Sequence, residues 1–108
     1  LPDSDNPWVV LVPEVADLVE WHDLAEQEQR QLAKEIGIVS RWLKLEFQAF
    51  KINVGSLGNK VPQLHIHVIA RYENDKAWPG PIWGSSPGKD LNKIEALQKR
   101  LTELVDLF

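Results

Sequence analysis

Apolar and polar residues change their spacing several times along the chain, and each change marks an element. Asp3 to Pro7 is turn-forming, and Trp8-Val9-Val10-Leu11-Val12 follows as a nearly continuous apolar run closed by Pro13. That run predicts a strand buried on both faces or nearly so. Val15 to Trp21 predicts a connection with room for a short bridge. From Asp23 the period lengthens: Leu24, Leu32, Ile36, Val39, Leu43 and Phe47 recur at three-, four- and eight-residue steps, while Glu26 to Arg30 is polar. This predicts a long amphipathic helix with acidic residues in its first turns, where the helix dipole favours them. Gly37 within it costs about 1 kcal/mol relative to alanine, and it leaves space for close approach of a neighbouring strand. Ile38, Trp42 and Leu45 form a second apolar stripe, wider than one sheet contact requires, which points to a subunit contact.

Beyond the helix the period drops to two. Phe50 to Val54 alternates as a strand does, Gly55 to Pro62 is a loop, and Gln63 to Tyr72 predicts the next strand. The two strands are expected to pair as an antiparallel hairpin with a long connection. The proline- and tryptophan-rich segment Ala77 to Gly84 predicts an ordered loop. A last helix begins at about Asp90, with Leu91, Ile94, Leu97, Leu101, Leu104 and Phe108 on one side. The chain shows no internal repeat.

Composition narrows the function classes. With 108 residues, 44% hydrophobic and 26% charged, the chain fits one soluble domain, residues 1–108, with a single core. It opens at Leu1-Pro2-Asp3 without methionine or a signal-like segment, so its true start is expected to lie upstream. No apolar run is long enough to span a bilayer, so no membrane partner is expected. A net charge of -4 without a basic cluster argues against a nucleic-acid polymer and favours a small phosphate-bearing ligand. There are no cysteines, which removes disulfides, thiolate nucleophiles and cysteine-ligated zinc, and fits a cytoplasmic setting.

Candidate chemistry concentrates at Gln63-Leu64-His65-Ile66-His67-Val68. In an extended strand alternate side chains share a face, so Gln63, His65 and His67 would stand together, with the two histidine Cα atoms about 6.6 Å apart. Neutral imidazole is a competent nucleophile near pH 7, and its second ring nitrogen can be oriented by a backbone carbonyl. Backbone N–H groups of Gly58, Asn59, Lys60 and Val61 could face a phosphate oxygen, Lys60 or a protonated His67 could offset developing charge, and Asn53 could bond a ribose or phosphate. Zinc is the competing reading. It would need His22 or a carboxylate to complete a set begun by His65 and His67, and no metal is assigned. Trp78 and Trp83 either stack on a base or pack their loop on the sheet.

The run Asn53-Val54-Gly55-Ser56-Leu57-Gly58-Asn59-Lys60-Val61-Pro62 followed by Gln63-Leu64-His65-Ile66-His67 resembles the histidine triad (HIT) family, as does the strand-then-proline of Trp8 to Pro13. The likeness runs to Arg71, and Ala77 to Gly84 is similar to a bacterial HIT-like subgroup. The resemblance implies an α+β fold, an antiparallel sheet backed by one long amphipathic helix with a second C-terminal helix, and a homodimer. It also implies a nucleotide hydrolase or transferase that cleaves at the α-phosphorus through a nucleotidyl-histidine and needs no cofactor. His65 takes the middle, nucleophilic position, His67 the third, and Gln63 stands where the first histidine would be. Other departures are Pro7-Trp8 in place of the family's Gly-His, Ala16 in place of a later histidine, and Lys60 in place of a serine. The ribose-binding acid has no aligned counterpart, with Asp3 and Asp5 as unaligned candidates. These departures keep a second reading open, a nucleotide-binding module with little turnover.

Overall fold

The computed structural model describes residues 1–108. Three strands form one sheet in the order β1-β3-β2: β1 is Trp8–Leu11, β2 is Lys51–Gly55 and β3 is Ile66–Arg71. β3 is central and antiparallel to both neighbours, with Val10 opposite His67 on one side and Gly55 opposite His67 on the other. The expected hairpin is therefore present, and β1 closes the far edge. The long helix α1, Glu26–Glu46, backs the sheet, and α2, Leu91–Thr102, runs on into a 3-10 turn at Glu103–Leu107. The fold is α+β, as the resemblance implies. No helix is long and apolar enough to cross a membrane.

Alternation along β3 divides the core. Ile66 and Val68 face α1, where Leu32 joins Ile66, Leu18, Leu24 and Leu64, and where Val39 and Leu43 join Val68 and Leu104. Leu32, Val39 and Leu43 are the buried residues of α1, at steps that return to one helix face. The opposite face carries His67, Ile69 and Arg71, and a third cluster of Trp8, Ile69 and Ile82 lies there under the Ala77–Gly84 loop. Covered on both sides, β3 is buried at all six positions. Burying each such aliphatic side chain contributes about 1.5–3 kcal/mol before entropy is counted.

Helix ends show why the boundaries lie where they do. Trp21–Asp23 is a separate 3-10 turn, so α1 starts later than Asp23, at Glu26. Its start is secured by Glu28, whose carboxylate accepts the Ala25 N–H at 3.2 Å. Its end is a Schellman turn: Gln48 adopts φ 51° and the Ala49 N–H donates to the Lys44 carbonyl at 3.1 Å. Asp90 caps α2 by accepting from the Asn92 and Lys93 N–H groups.

Several expectations need correction. β1 is an edge strand, so only Trp8 in it is buried, Val9 to Leu11 are half-buried, and Val12 lies beyond its end and is exposed. The strand predicted over Gln63 to Tyr72 is ordered as β3 only from Ile66, because pairing ends at Leu11 opposite Ile66. Leu64 instead donates its N–H to the Leu18 carbonyl at 2.8 Å. Gly37 faces open space, with nothing near the position a Cβ would take, so it admits no strand. Leu91 and Phe108, placed on the packed side of the last helix, are exposed.

Candidate functional site

The end of β3 nearest the Ser56–Gln63 loop gathers the chemistry. His65 enters the strand and His67 lies within it, and their rings meet edge to face with centroids 5.0 Å apart. The shared face expected from alternation is thus observed for the histidines. His65 is partly exposed, whereas His67 is 7% exposed.

The partners of the two rings define their protons. His65 Nδ1 lies 2.7 Å from the Gln63 carbonyl oxygen. A carbonyl only accepts, so Nδ1 carries the hydrogen and Nε2 carries the lone pair. His67 Nδ1 accepts the indole N–H of Trp8 at 2.9 Å. Burial, and secondarily the charge of His65, pull the His67 pKa below its ordinary value. A ring that accepts at Nδ1 carries its hydrogen on Nε2. What it offers a phosphate is an Nε2–H donor.

Gln63, expected beside the histidines, turns its amide away and donates from Nε2 to the Val15 carbonyl at 3.3 Å. This ties the approach to β3 to the connection after β1. Asn53 lies on the histidine face, opposite Ile69, but its Oδ1 is occupied by the Arg71 guanidinium at 2.8 Å. Only its amide nitrogen is left to serve a ligand. In the loop, Gly58 takes φ 68°, a conformation glycine adopts without strain. Asn59, Lys60 and Val61 are exposed, and the backbone N–H groups from Gly58 to Val61 donate to no backbone carbonyl. They are free donors of the kind an anion requires.

Sequence reasoning missed the layer beneath. Arg71, 1% exposed, donates from Nε and Nη2 to both oxygens of Asp75, from Nη1 to Asn53, and from Nη2 to the Gly80 carbonyl. Asp75 also accepts from Asn6 and from the Tyr72, Ala77 and Trp78 N–H groups. Arg71 and these donors hold its carboxyl well below the usual carboxylate range. This knot anchors the Ala77–Gly84 loop, which lays Ile82 on Ile69 and sets Trp83 edge-on to His67 at 5.6 Å. A Cβ on Gly55 would lie 2.8 Å from the Trp83 ring, so glycine there admits the indole. An arginine ending the apolar run Val68-Ile69-Ala70, followed four residues later by aspartate, was the available signal.

The remaining candidates lie apart. Asp3 is buried and bonded to Lys76 and to the Asp5 and Gly88 N–H groups, so its carboxylate is occupied by the fold. Asp5 is exposed beside Lys76. Exposed His22 pairs with Asp23 at 3.6 Å, and no group of three or more His, Asp or Glu is placed to hold a metal ion. The zinc reading thus lacks its further ligand. A cleft of about 380 Å³ opens elsewhere, between the end of β1 and α1, lined by Pro13, Val15, Glu28 and Glu35 among others.

Comparison with known proteins places these features in context. Residues 2–74 match the family model for the HIT domain. A bis(5'-adenosyl)-triphosphatase of Saccharomyces cerevisiae is 31% identical over 70 residues, covering 60% of this chain and 34% of the yeast protein. The chain thus spans about a third of the length of the curated relatives it matches. A crystal structure of a histidine triad protein from Marinobacter aquaeolei VT8 superposes with a TM-score of 0.90 at 38% identity, over 99% of this chain and 80% of that one. One from Bradyrhizobium japonicum gives 0.80 at 47% identity, over 92% of this chain and 78% of that one.

Proposed function

The chain belongs to the HIT domain family, and from that premise we propose that it is a nucleotide hydrolase or nucleotidyl transferase acting at the α-phosphorus through a nucleotidyl-His65 intermediate. The observation that carries this reading is the 2.7 Å bond between His65 Nδ1 and the Gln63 carbonyl, which leaves a lone pair on Nε2 of a partly exposed ring. Nε2 attacks phosphorus, a P–N bond forms, and the bond from phosphorus to the leaving group breaks, its electron pair departing with the leaving group. The Nδ1–H stays on the Gln63 carbonyl and stabilises the charged nucleotidyl-imidazole. Water, or an acceptor hydroxyl, then attacks phosphorus and displaces His65, releasing a proton to solvent. The His67 Nε2–H and the free N–H groups of Gly58 to Val61 hold the charged oxygens.

The name of the yeast relative supports testing adenosine nucleotides joined through phosphates, alongside adenosine and guanosine phosphoramidates. Intact-mass analysis during turnover is expected to reveal a nucleotidyl adduct, with nucleoside monophosphate as product, both abolished in His65→Ala. Neither adduct nor product from any of these compounds would sink the reading. One observation favours a second reading, a binding module with slow turnover: the Gln63 amide is directed at Val15 and cannot titrate. Saturable nucleotide binding without product separates the two. The same reading takes in a homodimer and a cytoplasmic setting, the first motivated by the outward stripe of Ile38, Trp42 and Leu45 on α1 and the second by the absence of cysteine.

A further inference from the structure

Trp8 has no role in that chemistry beyond packing, yet it makes the only side-chain bond to His67 Nδ1. We propose that Trp8 is a positioning residue that locks His67 in its Nε2–H form, a hydrogen-bond donor whose charge stays fixed while the neighbouring His65 keeps a lone pair. The proposal rests on the reading of His65 as nucleophile.

Indole nitrogen can only donate, so a ring that accepts from it must carry its own hydrogen on the other nitrogen. His65 faces the opposite constraint, since its Nδ1 meets a carbonyl at 2.7 Å. Two imidazoles 5.0 Å apart are thereby set in opposite tautomers, one presenting a lone pair at Nε2 and the other an N–H. Without Trp8 both neutral forms of His67 would be open, and one of them turns a lone pair towards the phosphate oxygens. Register makes the contact possible: Trp8 is opposite Ile69 and Val10 is opposite His67, so the indole reaches His67 as a diagonal neighbour. Trp83, edge-on to Trp8 at 6.2 Å, and Ile82 keep the indole in place.

Protonating His67 would set an Nδ1–H against the indole N–H inside a 7%-exposed site. No carboxylate faces it to offset the charge. From its own strand it meets His65 and, farther along the face, Arg71, which is already paired with Asp75. From β2 it meets uncharged Gly55, and from the loop Trp83. Each of these disfavours the imidazolium, and the indole bond decides which neutral form remains.

Long-range proton–nitrogen NMR of the histidine side chains, recorded on the full chain across pH, tests the lock without any substrate. Wild-type His67 is expected to show a pyridine-like Nδ1 and a pyrrole-like Nε2. In Trp8→Phe, which keeps a ring and removes the donor, the tautomers should mix and the His67 titration midpoint should rise by about one pH unit. With adenosine phosphoramidate, kcat should fall on the order of tenfold and gain a new acidic limb, while KM changes less. A pyrrole-like Nδ1 in the wild type, or an unchanged tautomer and midpoint in folded Trp8→Phe, would overturn the lock. If the variant does not fold, the wild-type spectrum alone decides. Absence of nucleotidyl transfer in the wild type would instead sink the enzymatic reading, so the two failures are distinguishable.

Discussion

Arg71 and Asp75 show how single residues far from the reacting atoms set the geometry at them. Their side chains are 1% and 2% exposed, and the guanidinium bonds Asp75, Asn53 and Gly80 at once. Removing one partner of such a pair leaves an uncompensated buried charge and costs about 3–5 kcal/mol. Asp75→Asn is therefore expected to lower the urea midpoint at neutral pH by that much stability and to loosen Trp83 from His67. The pH dependence follows from the sign of the shift. Arg71 and the surrounding N–H donors lower the folded-state pKa of Asp75, so its contribution is fully present above the unfolded value of about 3.9 and is lost as pH falls below it. The gap in stability between wild type and Asp75→Asn should thus narrow below about pH 4 in urea titrations. A gap that stays constant from pH 7 to pH 3 would show that the ion pair is not its source.

Elements follow their local chemistry closely, and where they do not, a tertiary partner is responsible. The period of α1, the hairpin of β2 and β3, and the helix after Asp90 were legible because each repeats a spacing over many residues. The start of β3 was not, since alternation runs back to Gln63 while pairing stops opposite Leu11, and no local pattern records where a partner strand ends. Of the site, the His65–His67 face was legible from alternation. The bonds of Trp8 to His67 and of Gln63 to Val15 join residues 59 and 48 apart in sequence and leave no periodic trace. The end of α1 is a place where local rules are broken: Gln48 holds φ 51°, which glycine tolerates better. Gln48→Gly is expected to raise stability by about 0.5–1 kcal/mol, visible as a higher thermal midpoint. A lower midpoint would mean that the glutamine side chain contributes more than its backbone conformation costs.

At the scale of the whole molecule, two apolar surfaces are left without partners. Leu45 on the outer face of α1 is 74% exposed, and Phe50 and Val54, at and beside the free edge of β2, are 52% and 47% exposed. Unpaired strand edges and apolar helix faces favour association. Light scattering at micromolar concentration is expected to give twice the chain mass, and Leu45→Glu to shift it towards one. A wild-type monomer at that concentration would remove the dimer from the proposed function.

The central place of β3 also sets an order of assembly. β2 and β3 are joined by the Ser56–His65 connection alone, but β1 must be brought from a position where Trp8 lies 59 residues before His67. Closing the longer loop costs more chain entropy, so β1 is expected to dock after the hairpin and α1 have formed. Val9→Ala should then speed unfolding while leaving the refolding rate nearly unchanged, and a refolding rate slowed in proportion to the lost stability would contradict this order. On that route the donor that fixes the proton of His67 arrives with the last strand, so chains still folding would carry both imidazoles without their final difference in polarity.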